Sequence, residues 1–153
     1  MAKKIILVSL TVLWMLSIFM FSNQPSEKST EKSHSLITKT IVNIYRLFDH
    51  NISDEKIDEI IETWDVPVRK TAHFTEYFIL GVLIFLTLKS FDIKNVYIMI
   101  LLCFLYACSD EIHQLFVEGR DGNIVDVLID TVGSTFAILI LNKLKVRKKH
   151  EVH

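Results

Sequence analysis

Long apolar runs separated by polar connections organise this chain. The runs cover residues 5–21 ("IILVSLTVLWMLSIFMF"), 72–88 ("AHFTEYFILGVLIFLTL"), 96–116 and 124–141 ("IVDVLIDTVGSTFAILIL"). A bilayer core about 30 Å thick takes roughly 20 mostly apolar residues as a helix. The pattern therefore predicts an all-α integral membrane protein with four transmembrane helices, residues 1–153 forming one membrane domain. Lys3 and Lys4 precede the first run, a start that signal peptides share, but "FMFSNQ" offers no small-x-small cleavage site, so an uncleaved anchor is expected.

The connection over residues 22–71 is long and patterned. "PSEKSTEKSHS" is polar and reads as turn-like. From Ser35 to His50, Leu36, Ile37, Thr40, Ile41, Ile44, Leu47 and Phe48 recur at helical spacing. Ser53 opens "SDEKIDEIIETW", where a capping serine and the acidic Asp54-Glu55 pair predict a short helix that Pro67 ends. These segments read as amphipathic helices in the first outer loop, lying on the membrane surface or capping the bundle.

Charge placement orients the spans. Lys3-Lys4, the Lys89/Lys94 connection and the terminal set Lys143, Lys145, Arg147, Lys148 and Lys149 all fall on one side of a four-span topology. The excess of Lys and Arg assigns that side, with both termini, to the cytoplasm. Arg69, Lys70 and Arg120 then face outward against the rule. The formal net charge of −1 gives no reason to expect a nucleic-acid partner, and half the residues are apolar. Cys103 and Cys108 both sit in the third run, where thiols behave as small hydrophobes, so neither a disulfide nor a zinc motif is read.

Residues three and four apart share a helix face. On the second span Arg69, His73, Glu76, Tyr77 and Leu80 make one polar stripe; on the third, Tyr106, Asp110, His113 and Gln114 make another, with Glu111 turned about 100° away. Asn123, Asp126, Asp130 and Ser134 form the last, with Gly133 beside them allowing close packing. All three lie at the same end of their spans. Ionisable groups at such depth are costly and normally face a protein interior or a watery cavity, so an outward-facing polar pocket is expected.

The set "FSNQ", "RKTAHFTEYFILG" and "SDEIHQLFVEGRDGNIVDVLIDTVGS" resembles the VanZ-like family of small bacterial membrane proteins. The resemblance covers nearly the whole chain and rests on the ordered set from Arg69-Lys70 through Gly133. Asp130 stands where a polar residue such as Asn is expected. The resemblance implies a Gram-positive plasma membrane and an association with low-level resistance to the glycopeptide teicoplanin.

Two chemistries compete for the pocket. In the first, Arg69, Lys70 and Arg120 hold the phosphate of a membrane lipid or lipid-linked cell-wall precursor. Tyr77, Glu111, Gln114, Asp126 and Asp130 then bind the rest of the headgroup. In the second, His73 with Glu76, or His113 with Asp110, supplies acid/base chemistry or a divalent-metal site on a lipid-linked substrate. No nucleophile motif accompanies them. A transporter is a third reading, but the inner halves of the spans carry no charged pathway.

Overall fold

A computed structural model describes residues 1–48 and 52–150, with side chains of 146–150 excluded. Positions 49–51, at the end of the expected Ser35–His50 helix, and the side chains of Arg147, Lys148 and Lys149 therefore lie outside the described residues. The elements are α1 (Ala2–Ser22), α2 (Ser26–Ile37), a π-helical turn (Thr38–Val42), α3 (Asn43–Phe48), α4 (Asp54–Ser90), α5 (Val96–Gln114) and α6 (Ile124–His150). No strand occurs among the described residues. Four of these helices, α1, α4, α5 and α6, are long and apolar enough to cross a membrane.

The long helix α4 is the spine, packing against α1, α2, α5 and α6. Its closest partner is α6, and glycine explains the approach. A Cβ on Gly81 would lie 2.5 Å from the Ser134 carbonyl oxygen, and one on Gly133 would lie 2.5 Å from that of Phe74. Where lipid removes the hydrophobic drive between helices, such small residues let backbones approach and gain dispersion contacts. Two apolar clusters fill the bundle, one around Ile18, Tyr77, Leu80 and Ala107, the other around Phe85, Met99, Cys103 and Ile138. The outer surface is apolar as well: Leu13, Leu16, Leu101, Leu105, Val132 and Leu139 are all at least half exposed. That surface suits hydrocarbon rather than water.

Hydroxyls and aromatic N–H and O–H groups tie α1 in. Thr11 and Thr87 hydroxyls meet at 2.8 Å, Trp14 Nε1 donates to the Glu76 carbonyl at 3.0 Å, and Tyr106 donates to the Met15 carbonyl at 2.6 Å. At one end Lys4 lies over the Phe91 ring, 5.0 Å from its centre, and Lys89 Nζ donates to the Lys94 carbonyl. The polar stripes gather at the other end.

Two expectations for the first connection are corrected. Pro67 lies inside α4 and does not end a short helix. A proline removes one bond to the carbonyl four residues back, here that of Thr63, and both residues are exposed, so water can satisfy the freed group. Ser53 does cap the helix, accepting from the Lys56 amide at 3.3 Å, but that helix runs for 37 residues. At 1.5 Å per residue it is about 55 Å long, well beyond the roughly 30 Å of a bilayer core. The segment "PSEKSTEKSHS" is α2, not a turn. It shows no apolar period because it packs through small polar groups: Ser33 is buried and donates to Asp65 of α4. Beyond it, Ile37, Val42 and Ile60 form a third apolar cluster, so α2 and the π turn cap the projecting half of α4.

Candidate functional site

Between this cap and the bundle lies a cavity of about 650 Å3. α4 contributes Arg69, Lys70, His73 and Glu76 to its wall; α2 contributes Ser26, Ser29, Lys32 and Ser33. Ser22 at the end of α1, Gln24 just after it, Gln114 at the end of α5, the turn residues Arg120, Asp121 and Asn123, and Asp126 of α6 complete the polar lining. Phe21, Leu36 and Val66 add an exposed apolar rim.

Four cations meet in this cavity. Lys70 pairs with Asp126 at 2.9 Å, and Arg69 with Asp65 at 3.4 Å. Lys32 and Arg120 have no carboxylate partner among the described residues. Both are held by Gln24, whose side-chain oxygen accepts from Lys32 Nζ at 2.5 Å and whose carbonyl accepts from Arg120 Nε at 2.9 Å. Arg120 Nη1 also donates to Gln114 Oε1 at 3.0 Å. Burial pushes the Arg120 guanidinium down from its ordinary value and the Arg69 charge adds to that, against the pull of Asp110, Glu111 and Glu76. Two guanidiniums facing one space favour an anion between them, with Arg suited to bidentate contact.

Beneath the cavity a second polar layer fixes its floor. Gln114 Nε2 lies 3.3 Å from both Asp110 Oδ2 and Glu111 Oε1. Ser22 donates to Asp110 Oδ2 at 2.8 Å, and the Asn123 amide donates to Glu111 Oε2 at 2.8 Å. Asp110 and Glu111 thus fasten α1 and the start of α6 to α5; they do not line the cavity. Asp130 is fully buried, with His73 Nδ1 3.6 Å from its Oδ1. Both Asp130 oxygens, Asp110 Oδ1, His73 Nδ1 and the Tyr77 hydroxyl are buried without hydrogen-bond partners among the described residues.

Of the residues singled out by pattern, Arg69, Lys70, His73, Glu76, Gln114, Arg120 and Asp126 reach the cavity, while Tyr77, Asp110, Glu111 and Asp130 lie behind it. His113 goes elsewhere. Its ring stacks on Phe19 with centres 4.2 Å apart, and Nε2 lies 3.2 Å from Asn23 Oδ1. Asp110 bonds with Ser22 and Gln114 instead, so the expected His113–Asp110 pair does not form. The reason is angular: positions three apart differ by about 60° around a helix, enough to send one inward and the other onto α1. Among the described residues no three His, Cys, Asp or Glu side chains are grouped to hold a metal ion.

Pattern reading missed Gln24, Ser26, Ser29, Lys32, Ser33 and Asp65. The signal was present as serines at 26, 29 and 33, a helical stripe made of small polar residues rather than apolar ones. Each residue of "FSNQ" now has a place: Phe21 on the rim, Ser22 on Asp110, Asn23 on His113, Gln24 between Lys32 and Arg120.

A family model described as VanZ/LLP1 matches residues 7–145. No curated protein and no solved structure matches the chain.

Proposed function

This chain belongs to the VanZ-like family, and from that premise we propose that its cavity faces outward from a bacterial plasma membrane and binds the phosphate-bearing headgroup of a membrane lipid or lipid-linked cell-wall precursor. The family is linked to glycopeptide resistance, and occupancy of an outer-leaflet headgroup would influence envelope sensitivity to drugs such as teicoplanin. Both termini are cytoplasmic in this reading. Its support is the gathering of Lys4, Lys89 and Lys94 at the end away from the cavity.

The observation that carries the reading is that Lys32 of α2 and Arg120 of the α5–α6 turn line the cavity together with Arg69 and have no carboxylate partner among the described residues. Two cations without carboxylate partners among the described residues, serine hydroxyls and an apolar rim suit a phosphate whose alkyl part stays in lipid. Native mass spectrometry of the gently extracted protein tests this. Wild type should retain a phosphate-containing lipid, and Arg69→Ala and Lys32→Ala should each lose most of it. Retention unchanged in both variants, or none in wild type, rejects the reading. Arg120 is a poorer probe, because its removal also frees Gln24 and Gln114.

A second reading draws on His73. It lines the cavity one turn before Glu76 and has Asp130 behind it, the order of groups that orients an imidazole for acid/base work. Incubating the purified protein with a lipid-linked pyrophosphate and following released headgroup tests catalysis. Turnover abolished by His73→Gln supports it; intact substrate after prolonged incubation counts against it.

A further inference from the structure

A second cavity, about 320 Å3, lies between α5 and α6. Phe104, Cys108, Ile112 and Leu115 line one side and Ile124 and Leu128 the other; Glu111 and Asn123 also border it, but the surface turned into the groove is apolar. It follows α5 from residue 104 to 115, about 16 Å at 1.5 Å per residue. Phe104, Ile112, Leu115, Ile124 and Leu128 are all exposed on the protein surface, so the groove opens toward hydrocarbon rather than into the bundle.

Gly122 and Asn123 line both cavities. On one side of this shared edge stand Arg69, Arg120 and Lys32; on the other the apolar groove begins. At this edge Gly122 packs closely: a Cβ on it would lie 2.7 Å from Leu115 Cδ2 and 3.1 Å from the Glu111 carbonyl oxygen. The geometry points to a single lipid straddling the edge, its phosphate headgroup in the cationic cavity and one acyl chain in the α5–α6 groove. This rests on the headgroup reading above and deepens it: the ligand is recognised as an intact membrane lipid, entering sideways from the bilayer. Because lipid tails are as apolar as the groove, the chain adds little affinity. Its path instead determines which molecules bring a phosphate to Arg69 without leaving the membrane.

The test uses full-length protein in bilayers of phosphatidylglycerol and phosphatidylcholine. A phosphatidylglycerol with a photoreactive acyl chain is cross-linked, and its attachment sites are mapped. In parallel, glycerophosphoglycerol, the same headgroup without chains, is titrated by calorimetry. Wild type should label between residues 104 and 128, and Arg69→Ala or Lys32→Ala should lower that yield about tenfold while labelling of the lipid-facing side of α1 stays constant. Leu128→Trp, which fills the groove away from the cations, should abolish groove labelling and leave glycerophosphoglycerol binding unchanged. Groove labelling insensitive to both cavity substitutions shows ordinary surrounding lipid and overturns the inference; if glycerophosphoglycerol binding still depends on Arg69, the headgroup reading survives alone. Headgroup binding absent from wild type, with labelling indifferent to Arg69, removes both.

Discussion

The two ends of the bundle are built from the same four helices and differ in what they bury. At the end carrying Lys4 and Lys94, Phe85, Met99, Cys103 and Ile138 close the interior, charges stay at the surface, and the buried Thr87 hydroxyl pairs with Thr11. At the cavity end Asp110, Glu111, Gln114 and Asp130 are all at least 95% buried. Ionisable groups buried at such depth are costly to place in a membrane protein. Their confinement to one end is the contrast that the headgroup proposal draws on. The cap makes the same point, since α2 exchanges an apolar contact for a serine face toward the cavity.

The sharpest way to break the comparison is to separate α4 from α6, on whose contact the cavity floor depends. Gly133→Leu and Gly81→Leu would drive a side chain into a backbone carbonyl on the neighbouring helix. Because backbone cannot swing aside, each should cost about 3 kcal/mol or more and greatly reduce folded protein in detergent, measured by thermal unfolding and membrane yield. Folding with wild-type stability would mean that the two helices pack less closely than described.

A smaller effect contrasts the polar contacts of the two ends directly. Asp110→Ala leaves the Ser22 hydroxyl and part of Gln114 without an acceptor, and should destabilise by about 1–2 kcal/mol. Thr87→Val at the opposite end removes one hydroxyl and should cost about 0.6 kcal/mol. Equal losses in paired unfolding measurements would show that the cavity-end network carries no special weight.

How much of this was legible follows from what each contact is made of. The four spans were plain because lipid requires apolar length, and the stripes on α4, α5 and α6 followed from helical period. Gly133 betrayed its packing role by standing among polar residues, whereas Gly81 was hidden inside an apolar run. His113 was misplaced because a shared stripe fixes a face only to within about 60°, while the ring of Phe19 and the side chain of Asn23 decide which way the imidazole turns. The cap was misread at both ends for related reasons. Pattern rules weigh apolar periodicity and proline, but α2 is held by Ser33 and Asp65, and Pro67 sits where its missing bond faces water.

The cap itself supplies the next effect. Asp65 joins three partners, accepting from Ser33, lying 3.4 Å from Arg69 Nη2 and 3.8 Å from His34 Nε2. Asp65→Ala should therefore loosen α2 against α4 by about 1 kcal/mol, read as faster amide exchange over residues 26–37 with the bundle amides unchanged. Because Lys32 rides on α2, lipid retention should fall as well. Exchange that rises equally throughout would show the cap and bundle to be one cooperative unit.

The most local change is at the start of α4. Ser53→Ala removes the cap at the start of α4, where the bond to Lys56 is 3.3 Å long and exposed. Such a cap is worth about 0.5–1 kcal/mol, and its loss should fray only the first turn. Pro67 lies between that turn and Arg69 and already lacks one helix bond, which interrupts the hydrogen-bond ladder before Arg69. Amide exchange should quicken over residues 54–58 and stay unchanged from Arg69 inward, with lipid retention intact. If retention falls with Ser53→Ala, the projecting half of α4 is mechanically coupled to the cavity, and the cap controls occupancy as well as enclosing the site.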